Sequence, residues 1–145
     1  MVAFKLKSWH ASESAIKKSI TDYLTILEHQ GKLMFLRNNS FAGIIKAGGK
    51  ESYIKNGKEG SPDLMVFLAS AKKFITLNLE IKTVSGIQSE KQKQWEQKIK
   101  ELGGFYYIIY RFEDVKYLLD YAFAKDLYNL REHVFSKMVL EESRT

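Results

Sequence analysis

Between Asp63 and Lys82 the chain reads DLMVFLASAKKFITLNLEIK, two apolar-rich stretches about a turn at Ser70 to Lys73, and this segment constrains the fold most tightly. The second stretch alternates: Ile75, Leu77, Leu79 and Ile81 point one way, and Thr76, Asn78, Glu80 and Lys82 the other. Folding the two stretches symmetrically sets Leu64 opposite Leu79, Val66 opposite Leu77 and Leu68 opposite Ile75, so every cross-strand pair on that face is apolar. The same register sets Asp63 opposite Glu80, with side chains about 5 Å apart. Like charges so placed destabilise a sheet, so the pair needs a cation between the carboxylates or a proton on one of them. Mg²⁺, which takes hard oxygen ligands and keeps part of its water, suits two such carboxylates. Lys82 follows on the same face, where its ammonium can orient or deprotonate a water and offset charge developing on a phosphate. A solvated strand end accounts for Glu80 and Lys82 equally well at this level.

The flanking segments supply the rest of the fold. From Ser12 to Gln30 the apolar residues Ile16, Ile20, Tyr23, Leu24 and Leu27 recur at helical spacing, with Ser12 as N-cap and Gly31 past the end. Counting back from Ile16 and Ile20 by three and seven puts Glu13 on the buried stripe, where an unpaired carboxylate is costly. The alternative is a frayed first turn, with Glu13 favoured by the helix N-terminus. A strand over Leu33 to Leu36 precedes a long Gly-, Lys-, Asn- and Ser-rich segment, Asn38 to Ser61, expected as a loop. It carries Lys46, Lys50, Lys55 and Lys58 against Glu51 and Glu59, and is either a substrate-contacting loop or a solvated excursion.

Ser89 to Leu102 reads as a second helix, opened by a Ser89–Gln92 capping box and stopped by Gly103-Gly104. Gln92 also lies in line with Trp95, Ile99 and Leu102, the face expected to cover the sheet. Phe105 to Tyr110 reads as a buried strand, parallel to the strand before the helix through a right-handed crossover. From Glu113 to about Leu140 the pattern is helical, expected as two helices that break near Tyr121. The order predicts one mixed α/β domain over residues 1–145, with a core of about 12–119 and a helical C-terminal extension over 120–145.

Composition narrows the chemistry. A chain of 145 residues can bury a core unaided, and with no cysteine it offers neither disulfide, thiolate zinc site nor cysteine nucleophile, which fits a cytoplasmic setting. The first twenty residues lack an apolar h-region and no later run reaches the roughly 20 apolar residues of a membrane helix, so a soluble, unprocessed protein without membrane contact is expected. A net charge of +6 is the long-range field of a polyanion binder. His10, His29 and His133 are scattered without ligand spacing.

Taken in order, Glu13, the segment closing on Gly60-Ser61-Pro62-Asp63, the strand end Glu80-Ile81-Lys82 and the helix opening with Gln92-x-x-Trp95 resemble the signature of the virus-type replication-repair nuclease family, VRR-NUC, within the PD-(D/E)xK nucleases. The similarity runs from Glu13 to Leu119. It implies a restriction-endonuclease-like core of helix, three-strand meander, helix and strand, and Mg²⁺- or Mn²⁺-dependent hydrolysis of DNA. Asp63 and Glu80 would be metal ligands, Glu13 would complete or support the site, Lys82 would be the catalytic lysine and Gln92 would orient water or substrate. Stand-alone members of this size resemble Holliday-junction resolvases and are often viral, phage included, so junctions or flaps in replication and repair are the expected substrates, in a viral or bacterial host cell. A catalytically silent nucleic-acid-binding module is the alternative; it needs positive surface but no clustered carboxylates. Symmetric cutting of a junction needs two centres, so a homodimer is expected, with the apolar C-terminal segment either its interface or folded back on its own sheet to complete the monomer core.

Overall fold

The computed structural model describes residues 11–38 and 41–130, in the order α1 (Glu13–His29), β1 (Leu33–Arg37), β2 (Phe41–Ala47), β3 (Lys50–Asn56), β4 (Leu64–Ser70), β5 (Lys73–Ile81), α2 (Glu90–Glu101), β6 (Phe105–Ile109), α3 (Phe112–Ala124) and a 3₁₀ turn (Leu127–Asn129). The architecture is mixed α/β, as the pattern predicts. The main sheet has the order β1-β4-β5-β6. Strands β1, β4 and β5 form an antiparallel meander, and β6 joins β5 in parallel after the α2 crossover.

The β4–β5 register is the one counted from the sequence: Leu64 faces Leu79, Val66 faces Leu77 and Leu68 faces Ile75. Ala71 and Lys72 make the tight turn, both with positive φ, the backbone twist that a two-residue hairpin demands. The apolar face of the sheet packs against the α1 stripe of Ile16, Ile20, Leu24 and Leu27 and against Val115, Leu118, Leu119 and Ala122 of α3. Each such Val, Leu or Ile side chain contributes about 1.5–3 kcal/mol when fully buried.

Three expectations are corrected. The segment Asn38–Ser61 is not an irregular loop: β2 and β3 pair as a separate two-stranded ribbon, turning at Gly48-Gly49, whose φ values of +60° and +75° open that turn. The alternation that betrays a half-buried strand is missing because residues 44–53 are exposed throughout. Helix α3 does not break near Tyr121 but runs to Ala124, where the Ser70 hydroxyl meets the Ala122 and Lys125 carbonyls (2.8 and 2.9 Å) and accepts from the Leu127 N–H (3.1 Å). The expected second C-terminal helix falls largely on residues 131–145, outside the described residues. Leu102, expected on the sheet-covering face of α2, is exposed, and α2 buries no residue fully. Among the described residues, no helix is long and apolar enough to cross a membrane.

Candidate active site

The candidate site residues gather at the end of β5. Glu80 is only 2% exposed, although it belongs to the polar face of an alternating strand. Asp63, the residue before β4, stands where the register continues opposite it, and its Oδ2 accepts from the Ile81 N–H at 2.8 Å. Its backbone carbonyl accepts from the Asn38 N–H at 2.9 Å, tying it to the end of β1. Asp63 is thus held by backbone contacts on both neighbouring strands.

Gln92 settles its double reading by doing both. Its Oε1 accepts from the Ser89 N–H at 2.8 Å, closing the capping box, while its Nε2 donates to Glu80 Oε1 at 2.7 Å. Lys82 Nζ lies 3.7 Å from the same Glu80 oxygen, with a side chain only 15% exposed. Glu80 Oε2, buried, meets no hydrogen-bond donor. Burial, reinforced by the charge of Asp63 and opposed by Lys82 and Lys17, pushes the Glu80 carboxyl up to about 8. As ionised groups, Asp63 and Glu80 are a repelling pair that a proton or a cation would reconcile.

Glu13 does not lie on a buried stripe, which begins at Ile16; it occupies the first turn beyond the apolar core, with its side chain 43% exposed. It reaches the cluster through Lys17, whose Nζ lies 3.1 Å from Glu13 Oε1 and 2.9 Å from Asp63 Oδ1. Burial disfavours the Lys17 ammonium, but the two carboxylates outweigh it and hold its pKa above the ordinary value. Among the described residues, no three of His, Cys, Asp and Glu converge on one point as a metal-holding group. Asp63 and Glu80 therefore stand as a pair, with Glu13 one residue removed.

The ribbon lysines stand elsewhere. Lys46 on β2 pairs with Glu51 (3.1 Å), Lys50 opens β3, and Lys55 lies on β3 opposite Ala42. Lys58 follows β3, its ammonium 5.6 Å above the Trp95 ring. The ribbon leaves the main sheet at Asn38 and returns at Ser61, which accepts from the Asn38 amide. Its base is fixed to α2 by the Trp95 Nε1–H donating to the Glu59 carbonyl (3.1 Å) and by Gly60, where a Cβ would lie 2.6 Å from the Lys91 backbone. Both ends of the ribbon therefore meet at Asp63.

A solved structure described as a VRR_NUC domain superposes on 78% of this chain and on 100% of its own, with a TM-score of 0.50 and 15% sequence identity. The chain has a VRR_NUC fold. At that identity the likeness is one of fold, and it agrees with the core expected from the ordered motifs. No protein-family model and no curated protein matches the sequence.

Two residues within this VRR_NUC fold escaped the sequence reading. Lys17 lies four residues after Glu13, a spacing that puts both on one side of a helix, and that signal was available. Tyr106, on β6, reaches the cluster only through the parallel β5–β6 register, which no count along a hairpin can supply.

Proposed function

We propose that this protein is a divalent-metal-dependent DNA endonuclease that hydrolyses phosphodiester bonds at Asp63, Glu80 and Lys82. The observation that carries it is the buried Glu80 carboxylate, with one oxygen lacking any donor and with Asp63 opposite. Such an atom costs about 1–3 kcal/mol unless something positive meets it. A Mg²⁺ or Mn²⁺ ion fits these donors: Asp63 and Glu80 would hold it, Glu13 would complete the site once the ion takes the place of the Lys17 ammonium between Glu13 and Asp63, and water and phosphate would fill a hard-oxygen shell. Such an ion supplies Lewis acidity and lowers the pKa of water.

The chain's own groups do the rest. The Ile81 N–H and Gln92 Nε2 lock Asp63 and Glu80 in orientation. Lys82, sheltered from solvent, presents a point charge where the scissile phosphate becomes more negative. Gln92 acts by holding Glu80. The β2–β3 ribbon, rooted at Asp63 and carrying Lys46, Lys50, Lys55 and Lys58, supports contacts along the DNA backbone. Branched DNA, a Holliday junction or flap, is the proposed substrate in replication or repair, cut by a homodimer in the cytoplasm of a viral or bacterial host cell. A silent binding module would have no use for a buried, mutually repelling carboxylate pair.

Cleavage assays on four-way junction, flap, single-stranded and linear duplex DNA with Mg²⁺, Mn²⁺ or EDTA test this. Metal-dependent cutting of the branched substrates is expected. DNA binding without cutting in either metal would favour the silent module.

A further inference from the structure

The face of the sheet that carries Glu80 holds one more polar group than the carboxylates and lysines use. Tyr106 pairs with Asn78 in the parallel register, so it shares the face of Asn78 and Glu80. It is 2% exposed, and its hydroxyl, shut off from solvent, has no acceptor for its proton within hydrogen-bond reach. A buried phenol ordinarily finds a partner. Gln88 lies beside it, and of the carboxylates within electrostatic range Glu80 acts on it most strongly, ahead of Glu96 and Asp63. Glu80 has the complementary deficit. Its Oε1 is met by Gln92 and Lys82, whereas Oε2 meets no donor. A donor without an acceptor and an acceptor without a donor are buried on one face of neighbouring strands.

We infer that one bound water joins them, accepting from the Tyr106 hydroxyl and donating to Glu80 Oε2, which makes Tyr106 a positioning residue for Glu80. The two atoms make no direct hydrogen bond with each other, and a polar pocket with fixed partners is where a buried water is retained. A carboxylate oxygen has two lone-pair directions, so Oε2 can take the water on one and face a cation on the other. With Gln92 on Oε1 and the water on Oε2, the carboxylate cannot rotate. Partners of this kind preorganise a metal ligand, and their loss typically costs about 10- to 100-fold in affinity or activity.

The inference rests on the metal-dependent reading above, and Tyr106→Phe separates the two. Mn²⁺ titrated calorimetrically into wild type and Y106F without DNA should bind the variant about 10-fold more weakly. The kcat should fall by a similar factor while KM for DNA holds, and the melting temperature in EDTA should be unchanged or higher. Wild-type Mn²⁺ affinity and kcat in Y106F would overturn the role of Tyr106 and leave the nuclease standing. Wild-type protein that neither binds Mn²⁺ nor cuts DNA would overturn both. A high-resolution metal-free crystal structure checks it independently of the variant: a water within hydrogen-bond distance of both oxygens is expected, and density without one would overturn the inference.

Discussion

Lys17 and Asp63 form an ion pair of 2.9 Å on the oxygen of Asp63 that the backbone does not hold. The ammonium offsets the negative charge that Asp63 and Glu80 concentrate at the end of β5, the same work that a divalent cation would do. Removing it should weaken the metal-free fold by about 1 kcal/mol, because the pair is partly solvated. It should also remove a competitor for the carboxylate. Lys17→Ala is therefore expected to bind Mn²⁺ about fivefold more tightly, with a larger rise in melting temperature on adding metal. Weaker Mn²⁺ binding by calorimetry would instead make Lys17 a support of the site.

The Glu80 carboxyl, raised to about 8 first by burial and then by Asp63, sets a pH dependence whose sign follows from linkage. Its folded pKa lies above its unfolded one, so between about pH 4.5 and 8 the folded state holds more protons and metal-free stability falls as pH rises. The loss approaches about 1.4 kcal/mol for each pH unit within that window. Glu80→Gln should abolish this slope and melt several degrees higher near pH 8 in EDTA, while losing cleavage. Asp63→Asn keeps an acceptor for the Ile81 N–H but puts an amide against Lys17, so its gain should be smaller or reversed. Thermal melts from pH 5 to 8 check both, and an unchanged slope in Glu80→Gln would assign the dependence to another group.

The register of β4 and β5 was legible because a two-residue turn and an apolar face leave only one pairing that buries every partner, and Asp63 opposite Glu80 followed from counting. Glu13 was misplaced because helical spacing says which side of a helix a residue occupies, but not where the packed sheet beneath it ends. The ribbon was invisible for a related reason: Ile44 and Tyr53 face each other across it at 63% and 70% exposure, so no buried face imprints a period. Gln92 looked like a choice between cap and site because sequence assigns one role per residue, whereas its amide has two ends.

Lys82 separates turnover from binding. Its ammonium sits against Glu80 and not on the exposed ribbon, which under the proposed function places it where the reacting phosphate would be. Lys82→Ala should lower kcat about 100-fold with DNA affinity nearly unchanged. Single-turnover cleavage alongside binding in Ca²⁺ would show this. Equal losses in both would reduce Lys82 to a backbone contact.

The ribbon lysines should behave in the opposite way. Neutralising Lys46, Lys50, Lys55 and Lys58 should weaken DNA binding and flatten the dependence of log K on log salt by about 0.9 for each phosphate that no longer meets an ammonium. Lys46, already paired with Glu51, should contribute least. Fluorescence anisotropy across a salt series measures the slope, and an unchanged slope would make the ribbon a spacer.

The chain beyond α3 divides into two parts with different expected roles. Leu127 is fully buried in the core, Leu130 packs against it, and Ser70 ties residues 122–127 to the end of β4. Residues up to Leu130 therefore complete the monomer, and a truncation at Leu119 should unfold it by removing Ala122 and Leu127. Residues 131–145, outside the described residues, include the apolar Val134, Phe135, Met138 and Val139. If they form the two-fold contact, full-length protein should be a dimer by light scattering, and a chain ending at Leu130 should be a folded monomer that binds Mn²⁺ but no longer cuts both arms of a four-way junction in one encounter. A full-length monomer that still resolves junctions symmetrically would end the dimer proposal, and a dimer that persists without residues 131–145 would move the interface to another surface.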